Sequence, residues 1–144
     1  MQFDPDNNII QLCVKGMDME AAHKPDEAKR LFIQAWNEAS NNFEKFTAAH
    51  YVARQQHSVQ DKLMWDQKAL EYALKIENDN MAANYSSLYL NIAKCYEDLN
   101  DTANAQKNYN TALSYTDHLP DNSYGQMIKS GIEKGIKRVS KQFN

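Results

Sequence analysis

Residues 87–113 read SLYLNIAKCYEDLNDTANAQKNYNTAL. Tyr89, Ile92, Ala93 and Tyr96 recur at intervals of three and four, and Ala105, Tyr109 and Ala112 do so again beyond the interruption LND. Each set marks one face of a helix. The short break makes the two helices antiparallel neighbours. Small residues alternate with large ones along both faces, which is what two interlocking helices need.

Similar breaks recur along the chain. HKPD at 23–26, SNN at 40–42, HSVQ at 57–60, ENDN at 77–80, LNDT at 99–102 and LPDNS at 119–123 are rich in residues that cap helices or turn the chain. They divide the sequence into seven candidate helices of roughly 15 to 20 residues, joined as in a bundle or solenoid. No period-two alternation of branched residues is sustained, so a sheet is not expected.

The 87–113 unit resembles the tetratricopeptide repeat (TPR), in which an aromatic, leucine, small, aromatic pattern on a first helix meets alanine, aromatic, alanine on a second. LCVKGMDMEAAHKPDEAKRLFIQA at 12–35 is similar: Leu12, Gly16 and Met19 serve the first helix, and Ala28, Phe32 and Ala35 the second, with Lys15 where leucine is usual. FTAAHYVARQQHSVQDKLMWDQKALEYAL at 46–74 is a degenerate copy that packs through Phe46, Ala49, Ala53, Trp65, Ala69 and Leu70, with a register shift around Trp65. In SYGQMIKSGIEKGIKRVSKQF at 123–143, Ile128, Ile132, Ile136, Val139 and Phe143 share one stripe and the opposite side is basic. That segment resembles the helix that closes a TPR stack. The resemblance, to short bacterial TPR proteins, implies one all-α domain over 1–144: a right-handed superhelix of three helix-turn-helix pairs (7–40, 42–77 and 80–117) and a capping helix (122–142).

Composition sets limits around this frame. A chain of 144 residues with 42% hydrophobic and 24% charged residues has enough apolar material for a core without metal or disulfide. Cys13 and Cys95 are the only cysteines, too few for a disulfide framework and expected as small buried side chains. No apolar run reaches membrane-spanning length. The acidic start MQFDPDNNII does not read as a signal peptide, so the cytoplasm is the expected compartment.

Lys129, Lys134, Lys137, Arg138 and Lys141 stand against Glu133 alone at the C-terminal end, a local +4 in a chain of net charge -3. Basic residues there oppose the helix dipole and keep a cap soluble. With an acidic body behind them, a nucleic-acid partner is not expected. Gly131 and Gly135 form a GxxxG that reads as close backbone packing rather than membrane dimerisation.

Chemistry concentrates in AAHYVARQQH at 48–57. His50, Arg54 and His57 lie along one side of a helix. No serine or cysteine adjoins His50, no nearby carboxylate orients it, and the histidines stand seven apart with a cation between them, so neither a catalytic nor a metal site is expected. No Gly-rich turn after a strand cradles a cofactor, so none is expected. Two readings of the stretch stay open. In one, His50 is a satisfied core side chain and Arg54 bridges to an acidic neighbour; in the other, Tyr51 and Arg54 face a groove and hold a ligand, arginine offering a planar donor fork.

In TPR proteins the first helices line a concave binding surface. The resemblance places Met17, Glu20, Tyr51, Arg54, Leu90, Lys94 and Glu97 on it, with Asn91 at its edge and Tyr124 as a further contact. The implied function is non-catalytic binding of a protein or peptide, favouring an extended or acidic segment. The residues that let some TPR domains clamp a chaperone's carboxylate tail are missing, since Cys13 and Met17 stand where a lysine and asparagine should be. The alternatives are a small-molecule or enzymatic pocket at His50 and Arg54, and self-association through the irregular middle repeat as a homo-oligomer.

Overall fold

The structure, a computed structural model, describes residues 4–141, the side chain of Asp79 excepted. Among the described residues there are seven α-helices and no strand: α1 (Asn8–Ala21), α2 (Pro25–Glu38), α3 (Asn42–Arg54), α4 (Val59–Ala73), α5 (Ala82–Asp98), α6 (Thr102–Ser114) and α7 (Ser123–Ser140). Short 3₁₀ turns lie at Asp79–Met81 and Thr116–His118. The protein is therefore all-α, and each of the six breaks in the sequence falls at a helix boundary. Phe143 lies outside the described residues.

Local chemistry sets these boundaries. The side chains of Asn7, Asn41, Ser58, Asp101 and Asn122 accept backbone N–H groups at the starts of α1, α3, α4, α6 and α7. Pro25 opens α2, where a missing N–H costs nothing, and Asp26 and Glu27 follow in its first turn. Lys137 and Arg138 sit in the last turn of α7, the sign its dipole favours.

Two helix ends share one device. His23 and Asn100 adopt left-handed backbone, at φ 60° and 62°. Lys24 N donates to Met19 O and His23 N to Glu20 O after α1; Asp101 N donates to Tyr96 O and Asn100 N to Glu97 O after α5. These paired bonds form the Schellman motif. The same stop thus turns α1 into α2 and α5 into α6. A Cβ in this region is strained, so His23→Gly is expected to stabilise by up to about 1 kcal/mol. Differential scanning calorimetry should show Tm rising by about 3 °C; a fall would mean that the His23 side chain contributes more than its backbone costs.

The chain forms two compact units, Met1–Glu77 and Asn78–Asn144. In the first, α1 packs on α2 and α3, α2 on α3, and α3 on α4. Ile9, Cys13, Ala28, Phe32, Ala35 and Val52 belong to its core. Gly16 lets the helices approach, since a Cβ there would run into the Phe32 ring. In the second unit, α5 packs on α6 and α7, and α6 on α7. One cluster joins Ala93, Ala105, Tyr109 and Val139, and another joins Ala112, Ile128 and Ile132. Of the GxxxG pair, Gly135 sits on the Tyr109 ring where a Cβ would overlap it, whereas a Cβ at Gly131 would meet only the Leu90 side chain at ordinary contact distance, so the close packing is at Gly135.

Candidate functional site

In the first unit, the end of α3 meets the end of α1. Arg54 Nη2 lies 3.0 Å from Glu20 Oε1, and Gln55 Nε2 donates to Glu20 Oε2 at 2.5 Å. The guanidinium also stands 5.4 Å from the centre of the Tyr51 ring. Glu20, Arg54 and Tyr51 are thus brought together. Arg54 remains 46% exposed, leaving part of its donor fork open to solvent.

Tyr51 departs from its expected place on an open face. It is only 8% exposed and stacks on Phe32, ring centres 5.2 Å apart. The reason is that α3 is buried around most of its circumference, through Ala48, Ala49, Tyr51, Val52 and Ala53, while Phe43 and Phe46 near its start stay partly exposed. Met17 is partly buried against the same core.

His50 combines features of both readings. Its ring meets Tyr51 edge-on at 5.2 Å. Its Nδ1 is buried without a hydrogen-bond partner, so it is not a satisfied core histidine, although Arg54 does bridge to an acid. Burial, with the cations Arg54 and Lys62 adding to it, pulls its pKa from 6.5 down to about 4, and the imidazole is neutral near pH 7. A neutral ring with an unpartnered nitrogen offers one hydrogen-bonding position to a ligand, as donor or acceptor according to its tautomer.

The remaining expected residues belong to the second unit. Lys94 pairs with Asp98 at 2.5 Å and is half exposed. Glu97 accepts Arg138 Nε at 2.8 Å and Nη2 at 3.1 Å, and Tyr109 donates its hydroxyl to Glu97 Oε1 at 2.6 Å. The hydrogen bond from Arg138 holds the Glu97 carboxyl below its usual range, with Tyr109 assisting, while burial and then Glu97 push the Tyr109 hydroxyl up. This clamp ties α7 to α5 and α6, so Glu97 acts inside the unit. Asn91 is half-buried on α5, and Tyr124 is exposed at the start of α7.

Other features bear on ligands. A polar cleft of about 320 Å³ is lined by Asn7, Asn8, Ile9, Glu38, Ser40 and Glu44. Its Glu44 carboxylate already accepts Asn7 Nδ2 at 2.8 Å and the backbone and hydroxyl of Ser40 at 3.0 and 3.1 Å. Among the described residues no group of three His, Cys, Asp or Glu is placed to hold a metal ion, and no helix is long and apolar enough to cross a membrane. Cys13 and Cys95 are both buried, and burial pushes the Cys13 thiol up to about 12.

One cluster escaped the reading of the sequence. Trp36 of α2 meets Trp65 and Tyr72 of α4 edge-on, at 5.1 and 5.8 Å. Lysines cover these rings: Lys45 is 4.2 Å from the Trp36 centre, Lys68 is 5.9 Å from both tryptophans, and Lys75 is 4.8 Å from Tyr72. The available signal was Trp65, Lys68, Tyr72 and Lys75, where aromatic and cationic residues alternate along one face of α4 and into the turn that follows it.

Comparisons with protein-family profiles, curated proteins and solved structures each return no match to this chain.

Proposed function

We propose that this protein is a non-catalytic binding module of TPR-like helix pairs, arranged as a right-handed superhelix capped by α7, and that its partner is a protein or peptide held on the face of the first helices. The observation that carries the reading is the Glu20–Arg54 ion pair. It joins the first helices of two successive pairs, α1 and α3, on one side, and leaves an arginine fork half exposed there. Gly16 against Phe32, and the Schellman stop shared by α1 and α5, agree with a repeated helix-pair unit. Arg54 and Glu20 would contact the partner in the first unit, Arg54 taking a carboxylate; within the second unit, taken by itself, the candidates are Lys94, Asn91 and Tyr124. Two buried free thiols fit a reducing compartment such as the cytoplasm.

Panning a displayed peptide library against wild type and Arg54→Ala, with helicity matched by circular dichroism, tests this. Peptides retained by wild type should bind Arg54→Ala about tenfold more weakly, the size of one lost charge-assisted contact. Equal retention by both proteins would remove the first-helix face from the function. A small-molecule pocket at His50 has one observation in its favour, the unpartnered buried Nδ1; protection of the His50 ring signals by a metabolite in NMR titration would support it instead.

A further inference from the structure

We infer a second docking surface in the first unit, the aromatic and lysine cluster of Trp36, Trp65, Tyr72, Lys45, Lys68 and Lys75, and assign it to an acidic, extended peptide segment. The two indole rings rest on the core with one side partly open. Among the described residues no hydrogen bond from either indole N–H to a protein acceptor is found. Among the described residues Lys68 forms no ion pair, and its ammonium lies 5.9 Å from the centre of each tryptophan ring. Lys45 donates to the Trp36 carbonyl at 3.0 Å and otherwise faces the Trp36 ring. Lys75 has Glu71 at a loose 3.8 Å, with both side chains more than half exposed. The lysines of the patch thus lie over apolar rings with little carboxylate to neutralise them, whereas Arg54, Lys94 and Arg138 elsewhere are each paired.

That arrangement selects a partner. Cation–π contacts hold the ammonium groups in place and leave other protons of each directed outward. With the indole N–H groups, the surface offers donors and positive charge around an apolar centre, and its complement carries carboxylates next to apolar or proline residues. A single nucleic-acid strand also brings negative charge, but it binds chiefly by stacking bases on open ring faces. Here lysines already lie over the ring faces, and the chain is net negative. The acidic peptide is therefore the better fit.

Trp36 and Trp65 are the only tryptophans in the chain, so intrinsic fluorescence reports on this surface directly. The probe is an unlabelled peptide of alternating glutamate and proline, titrated into the intact protein at low salt, with affinities measured by calorimetry. The expected result is a saturable change in tryptophan emission, and binding at least about tenfold weaker in Lys45→Ala/Lys68→Ala. Lys107→Ala removes one charge from α6 and should keep the wild-type affinity. Binding lost in Arg54→Ala but kept in Lys45→Ala/Lys68→Ala would put the acidic segment on the first-helix face and overturn this surface alone. No emission change with the peptide overturns it as well. A single-stranded oligonucleotide that alters the emission where the peptide does not would make it a nucleic-acid surface instead.

Discussion

Gly16→Ala should destabilise the protein by about 2 kcal/mol, against a gain of about 1 kcal/mol that the same change brings at an exposed helical site. A Cβ at Gly16 would overlap the Phe32 ring. Phe32 is fully buried and stacked on Tyr51, so the ring has no free direction in which to move. Gly135→Ala repeats the experiment in the second unit and should cost more, about 3 kcal/mol. There the displaced ring is Tyr109, whose hydroxyl is tied to Glu97 and Arg138. Urea unfolding at pH 7 measures both. Combining Gly16→Ala with Phe32→Leu should recover part of the loss, because the smaller side chain removes the overlap; a double-mutant cycle isolates that coupling. If Gly16→Ala proves more stable than wild type, α1 and α2 do not interlock at this position.

The interlock was legible because it is local. Gly16 with Phe32, and Ala93 with Ala105 and Tyr109, lie within one helix pair, where spacing and side-chain size alone specify the contact. Helix ends were legible for the same reason, being set by caps such as Asn41 and Asn122. What stayed hidden depends on how helices meet. The face of α3 could not be assigned because it is buried on most sides, so Tyr51, expected in a groove, lies in the core. Asp66 takes no part in the helical pattern of the sequence, yet it is buried, with Lys62 one turn earlier 2.6 Å away. The sequence treats ENDN as one break among six, while the boundary between the compact units falls at Glu77 and Asn78. The Trp36 cluster draws on three helices, and only its α4 members share a visible period.

Between pH 6.5 and pH 4, the first unit should lose stability through His50. The ordinary pKa of 6.5 applies to the unfolded chain, and the folded value is about 4. The folded state therefore binds fewer protons in this window, and acidification favours unfolding. The effect is absent well above pH 6.5, grows as pH falls, and is complete below the folded pKa. At about 1.4 kcal/mol for each unit of difference, it reaches on the order of 3 kcal/mol. Protonation would put a cation near Arg54 and Lys62 in a largely buried site. His23, His57 and His118 are exposed, so His50 is the histidine whose burial gives this dependence. Glu44 and Glu97 are depressed carboxylates, whose stabilisation is lost only as pH falls through their own lower range. Unfolding free energies at pH 7 and pH 5 thus separate the histidine from the carboxylates. Wild type should be about 2 kcal/mol weaker at pH 5, and His50→Gln should show little change between the two, whatever its absolute stability. An NMR titration that puts His50 near 6.5 in the folded protein would contradict the burial of a neutral ring, and with it the unpartnered Nδ1 on which the small-molecule reading of this site depends.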